Sequence, residues 1–269
     1  MSCATPDPPP GRPGDEAAKD ATCDRWLGGR LTLLQPRRGH RVGSDAALLA
    51  AAAHLAEGRV VDVGAGVGAV ALAILARSGR CVADLVEIDA ALAGLAADNA
   101  ARNGFAARAR VVAADVFDAR ARREAGLADE TADLVVTNPP FFETSDVRVS
   151  PDAARARAHA FAGETDALAA WIRACLALLS SGGRLVMIHR PDALPAIFDA
   201  AENRLGALAL LPVHPREGES AHRLLVSGVK GSKSPLRIAP AFILHQADGR
   251  LTPEVDAVHR GERLIDWGG

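Results

Sequence analysis

Short apolar runs alternate along this chain with alanine-rich stretches of helical period. Val60-Val61-Asp62-Val63 is followed by Val70 to Arg77, and Val82 to Ile88 by Ala90 to Asn103. Val111 to Ala114 and Leu134-Val135-Val136 come next, then Trp171 to Leu179, Arg184 to Ile188 and Leu194 to Arg204. The order is β-α-β-α, and the runs are too uniformly apolar to leave one strand face in water. That pattern predicts a mostly parallel α/β sheet covered by helices on both sides. Beyond Leu205 the pattern changes. Ala207 to Val213 and Leu224 to Val229 read as two strands joined by the polar loop His214 to His222, and Arg237 to His245 as another, turning at Asp248-Gly249. Antiparallel strands at the end of the parallel sheet are expected there.

Punctuation supports several of these elements. Gly104 stands where a helix ending near Asn103 needs a C-cap, and Gly182-Gly183 is placed to end the helix through Leu178 and Leu179. Ser44 is placed to cap a helix from Ala46 to Leu55, with Asp45 in its first turn facing the helix dipole.

Residues 1 to 24 break the pattern with Pro6, Pro8, Pro9, Pro10, Gly11, Pro13 and Gly14. They lack the apolar stretch of a signal peptide, and Asp7, Asp15 and Glu16 argue against a transit peptide. A disordered tail is expected over 1–24 and a single domain over 25–269. The 269 residues, 49% hydrophobic, suffice for one large α/β domain with a buried core. No run approaches the ~20 apolar residues of a membrane span, so a soluble cytoplasmic protein is expected. A net charge of −2 makes no global electrostatic case for nucleic acid, and any basic surface must be local. Cys3, Cys23, Cys81 and Cys175 form no C-x-x-C pair and no cluster of zinc-ligand spacing, so no metal is expected.

The candidate chemistry sits at strand ends. Val60 to Val63 runs into Gly64-Ala65-Gly66-Val67-Gly68 and then a helix. Glycine permits a sharp turn and close approach of a ligand at a helix N-terminus. A nicotinamide site favours G-x-G-x-x-G; here the spacing is G-x-G-x-G, with Asp62 two residues before the first glycine. A carboxylate there suits the cationic amino group of a methionine moiety and not a pyrophosphate. Glu87 ends the second run, nineteen residues beyond Gly68, about where an acid meets ribose hydroxyls in doubly wound folds. Asp115 follows the third run, placed to accept from an adenine amino group, and Ile88 and Val116 flank these acids as apolar faces for the ring.

The fourth run ends in Asn138-Pro139-Pro140-Phe141, then Phe142. Two prolines remove two backbone donors and stiffen the loop. Their carbonyls and the Asn138 side-chain oxygen are acceptors that can hold an NH2 group by both hydrogens. An aromatic NH2 is a poor nucleophile because its lone pair is delocalised. Acceptors that draw it toward tetrahedral geometry expose that pair, so positioning and electrostatics suffice without a strong base. Phe141 and Phe142 offer a face on which a splayed-out base can stack.

Together these residues resemble the class I S-adenosylmethionine-dependent methyltransferases with an Asn-Pro-Pro-aromatic motif. More closely, the chain is similar to the bacterial tRNA(Val) adenine-N6 methyltransferases. Three further segments carry that likeness: Gln35 with His40-Arg41-Val42-Gly43-Ser44-Asp45-Ala46-Ala47-Leu48-Leu49, Lys230-Gly231-Ser232, and Leu251-Thr252-Pro253-Glu254 through Arg260-Gly261. The likeness covers roughly Gly29 to Glu262. It implies a doubly wound, Rossmann-like, seven-stranded sheet, with a cofactor-binding half over 43–140 and a substrate-side half over 141–269. It implies S-adenosylmethionine as cofactor, methylation of an adenine in the anticodon loop of a tRNA, and a cofactor border at Ser44 and Asp45. A monomer or homodimer is expected.

Two local basic stretches are candidates for phosphate contact: Arg148, Arg155 and Arg157 with His159, and Arg216, Arg223, Lys230, Lys233 and Arg237. The Asn-Pro-Pro-Phe loop also serves enzymes acting on guanine N2 in rRNA or on glutamine N5 in proteins, and both remain alternatives. A glutamine enzyme would carry a separate recognition domain before the core, and about 58 residues precede the Val60 run. A non-catalytic module binding the cofactor or a nucleotide is a third alternative, which the intact Asn-Pro-Pro-Phe loop disfavours.

Overall fold

The computed structural model describes residues 21–38, 41–140 and 164–268. In chain order they form β1 (Ala21–Trp26), β2 (Leu31–Pro36), α1 (Ser44–Ala52), β3 (Glu57–Val63), α2 (Ala69–Arg77), β4 (Arg80–Glu87) and α3 (Ala90–Arg102). Next come β5 (Ala109–Ala113), α4 (Ala119–Glu124), β6 (Ala132–Thr137), α5 (Glu164–Leu178), β7 (Leu179–His189) and α6 (Leu194–Ala201). The chain closes with β8 (Leu205–His214), β9 (Arg223–Lys230), the two-residue strands β10 (Arg237–Ile238) and β11 (Phe242–Ile243), and α7 (Pro253–His259).

Alternate residues of the apolar runs face opposite helical layers. Val60, Leu134 and Val136 pack with α1 and α2, whereas Val61, Val63 and Val135 pack with α5. That is why the runs lack a polar face, and it fixes a three-layer α/β/α sandwich. The sheet order is β10-β8-β9-β7-β6-β3-β4-β5, with β11 also on β8. The seven long strands are the seven expected, with the β3/β6 switch point at the centre. The C-terminal reversal is narrower than expected. Only β9 runs against its neighbours β7 and β8, while β10 and β11 lie parallel to β8.

Several expectations are corrected. Strand β1 begins at Ala21, inside the segment expected as tail, and pairs antiparallel with β2, so a hairpin precedes the Val60 strand. Helix α1 starts at Ser44 itself. Gly43 is its N-cap, no side chain caps it, and it stops at Ala52 instead of Leu55. Gly182-Gly183 does not end a helix: α5 stops at Leu178 and both glycines lie within β7. The strand expected over Arg237 to His245 is broken into β10 and β11 around Pro240, which lacks a ladder donor and constrains the residue before it. Two short helices went unread. α4 is capped by the Asp118 carboxylate, and α7 by the Thr252 hydroxyl with a proline in its first turn.

The hairpin is held by side chains instead of by the main sheet. Asn99, fully buried on α3, accepts from Leu34 N (2.7 Å) and donates to Leu34 O (3.0 Å) and Val67 O (3.0 Å). One turn on, Asn103 pairs in the same way with Thr32 N and O, both at 2.9 Å. Two amides spaced i, i+4 thus substitute for a neighbouring strand along β2 and tie it to the glycine loop through Val67. Asn99→Ala leaves these buried backbone groups unpartnered and should lower the unfolding free energy by about 2 kcal/mol. A urea midpoint equal to that of the wild type would contradict this role.

Candidate active site

Parallel strands β3, β4, β5 and β6 all end at one edge of the sheet, and the predicted acids and Asn138 collect there. The turn out of β3 is pinned from one side. Gly64 N and Ala65 N both donate to Val86 O of β4, at 2.9 and 3.0 Å. Gly64 (φ 73°) packs against the Trp171 ring, which a Cβ there would meet at 3.1 Å. Gly66 (φ 56°) is the opposite case: a Cβ would meet nothing within 4 Å, so the loop opens to solvent there. Gly68, at φ 84°, is the N-cap of α2.

Glu87 joins this loop to the next one. Its carboxylate accepts from Gly66 N (2.8 Å) and from Asp89 N (2.9 Å), and it is 8% exposed. Asp62, 2% exposed, lies below the loop and accepts from Ala71 N in the first turn of α2 (3.0 Å). Burial pushes its carboxyl up to about 7, the Ala71 bond opposes that, and the nearby Glu87 charge adds to it. Asp115 is half-buried and turns its own loop, accepting from Phe117 N at 3.0 Å. Val116 is buried and Ile88 exposed, so of the two apolar residues beside the acids Ile88 has the open face.

Asn138 follows β6, whose Thr137 stands opposite Val63 of β3 on one side and Met187 of β7 on the other. That register sets Asn138 beside the start of the glycine loop. Asn138 is half-buried, Pro139 buried and Pro140 exposed. Phe141, Phe142, Arg148, Arg155, Arg157 and His159 lie outside the described residues.

The remaining substrate-side residues divide. Arg223 stands at the same edge as Asn138, at the start of β9, and donates to Asp45 of α1 at 2.8 Å. That ion pair ties the first turn of α1, with Ser44, to the reversed strand. Lys230 and Lys233 are carried by β9 to the opposite end of the sheet, where Lys230 holds Glu130 (3.0 Å) and Leu179 O (2.7 Å). Arg237 binds the carbonyls of Trp267 and Gly268. The basic stretch of the sequence is therefore not one face. Gln35 fixes the approach to α1, accepting from Val42 N (2.8 Å) and donating to Asp24 (3.1 Å).

Four residues unread in the sequence belong to this neighbourhood. Asn99 holds Val67 O, Trp171 and Thr137 lie beneath the two loops, and His189 ends β7, beside the Asn138 strand. Burial, then the Arg190 charge, pushes the His189 imidazole down to about 4. The signal for Asn99 was an asparagine at an inward position of an alanine-rich helix; Trp171 had none beyond its place in an apolar run. Among the described residues no group of three or more His, Cys, Asp or Glu stands ready to hold a metal. Among them, too, no helix is long and apolar enough to cross a membrane.

A family model described as "Methyltransferase small domain" matches residues 40–195. A Porphyromonas gingivalis W83 protein named tRNA1(Val) (adenine(37)-N6)-methyltransferase is 33% identical over 223 residues, 80% of this chain and 85% of its own. A protein of the same name from Aeromonas hydrophila is 30% identical over 213 residues, 78% of this chain and 84% of its own. Among solved structures, a predicted O-methyltransferase from Agrobacterium tumefaciens is 33% identical with a TM-score of 0.68, covering 82% of this chain and 98% of that one.

Proposed function

The chain belongs to the methyltransferase small-domain family, and from that premise we propose that it methylates N6 of an adenine in tRNA, with S-adenosylmethionine as methyl donor. The observation that carries this reading is the β3–β6 register, which sets an Asn-Pro-Pro loop beside a glycine loop of methyltransferase spacing. Relatives spanning about four-fifths of the chain and named for tRNA adenine methylation supply the substrate class.

The residues present fit the donor. The space over Gly66 admits a close ligand, and the Glu87 carboxylate at its rim can accept from a ribose diol. Asp115 can accept from an adenine amino group, with the exposed Ile88 as the apolar face for the ring. Asp62 supplies negative charge beneath the loop for the amino group of the methionine moiety. When bound, the cofactor supplies a methyl carbon on a positively charged sulfur. Asn138 Oδ1 and the Pro139 carbonyl accept the two hydrogens of the target NH2 and turn its lone pair toward that carbon. Transfer would form the N–C bond as the donor's C–S bond breaks, and the alkylated nitrogen, held by the same two acceptors, would lose its extra proton to water. Phe141 stacks the extruded base, and Arg148 and Arg157 meet backbone phosphates. Oxygen methylation, the activity ascribed to the Agrobacterium protein, needs a base to remove a hydroxyl proton. An amide and a proline carbonyl are acceptors and do not provide one.

Label from methyl-tritiated S-adenosylmethionine should enter total tRNA and be released by ribonuclease. Label released only by protease would transfer the same loop chemistry to a protein amide. Asp62 adds a proton-linked prediction. Its carboxyl, held up to about 7 by burial, is partly protonated near neutral pH. A cation placed by it lowers that value, so cofactor uptake at pH 7 should release part of a proton. Calorimetric binding enthalpies should then differ between phosphate and Tris buffers, and Asp62→Asn should abolish the difference. Equal enthalpies in both buffers for the wild type would contradict the placement of Asp62 beside the amino group.

A further inference from the structure

Both functional loops leave the sheet at neighbouring points, and the backbone ladder between them ends there. Val63 precedes Gly64, Thr137 precedes Asn138, and the two stand opposite each other in register. Pro139 and Pro140 have no N–H to carry the ladder further. In its place the Thr137 hydroxyl donates to Val63 O at 2.8 Å and accepts from Trp171 Nε1 at 2.9 Å, both bonds buried. The Trp171 ring also underlies Gly64 and meets Phe117, two residues past Asp115, edge to face at a centroid distance of 5.8 Å. One indole on α5 thus touches the glycine loop, the root of the Asn138 loop and the loop after β5.

We propose that Thr137 and Trp171 are positioning residues that set the distance between the amino-holding acceptors and the methyl donor. A single hydroxyl spans the roots of the two loops, and the indole N–H fixes its orientation, so that its proton points to Val63 O. The inference rests on the reading that Asn138 holds the target amino group. Neither residue touches a reactant. Each acts through the backbone it holds, and small displacements of reacting groups are costly in rate.

The test compares Thr137→Val, which keeps the shape and removes the hydroxyl, with Thr137→Ser, which keeps the hydroxyl and removes a methyl. Turnover on tRNA is measured with both substrates saturating, and S-adenosylhomocysteine affinity by calorimetry. Thr137→Val should lower kcat about tenfold while the product affinity changes less than about threefold, and Thr137→Ser should restore kcat to near the wild-type value. Trp171→Phe, which removes the N–H and keeps a ring, should reproduce the kcat loss, and it carries the test should Thr137→Val fail to fold. An unaltered kcat in these variants, or an equal loss in Thr137→Ser, overturns the proposal while leaving adenine methylation intact. A wild-type protein that methylates no RNA overturns the underlying reading instead.

Discussion

Asn138→Ala should lower turnover by about 10²–10³-fold while leaving the affinity for S-adenosylhomocysteine within about threefold of the wild type. The side-chain oxygen is the one side-chain acceptor of the Asn138-Pro139-Pro140 stretch, where the two prolines contribute backbone carbonyls and no donors. Its contribution grows as the nitrogen becomes tetrahedral and positive. It therefore stabilises the transition state more than the bound substrate, and its loss falls on kcat and not on KM. In the proposed site the cofactor side is built from β3, β4 and β5, and the Glu87 contact to Gly66 does not pass through Asn138. Single-turnover methylation of tRNA with saturating cofactor measures the effect. A rate within a few fold of the wild type would remove Asn138 from the chemistry.

Glu87→Ala should weaken S-adenosylhomocysteine binding by about 100-fold, with the unfolding midpoint lowered far less. The carboxylate holds Gly66 N and Asp89 N in place, so it organises both loops that border the ligand. In the proposed site it also accepts from the ribose diol. Hydrogen bonds to a charged group contribute about 1.5–3 kcal/mol each, so the net loss of about one of them from the bound state accounts for the factor. Glu87→Gln keeps one acceptor without the charge and should fall between. Calorimetric titration separates the three proteins, and equal affinities would place the ribose elsewhere.

The central sheet was legible because parallel strands buried on both faces have nowhere to hide polar residues: Val60 to Val63 and Leu134 to Val136 could be read by eye. The acids were legible for the same reason, since Asp62 and Glu87 interrupt or end apolar runs. The hairpin was not. Cys23, Asp24 and Arg25 carry no strong apolar alternation, and β2 is secured by Asn99, sixty-five residues away from Leu34. Ser44 is not the cap, and propensity alone cannot tell it from the Gly43 before it, whose extended backbone leads into the helix. The basic C-terminal stretch is divided by its strand. Arg223 and Lys230 are close in sequence, but seven strand residues of ~3.3 Å each carry Lys230 ~23 Å along β9 to the far end of the sheet. Trp171 looked like a core residue and is one. Only the contact with Thr137 shows that it also braces the two loops.

The most direct test incubates the protein with labelled S-adenosylmethionine and total tRNA from a strain lacking the gene, then digests the tRNA to nucleosides for mass spectrometry. N6-methyladenosine carrying the label is the predicted product. Label in N2-methylguanosine, or none in tRNA from fully folded protein, would contradict adenine-N6 methylation.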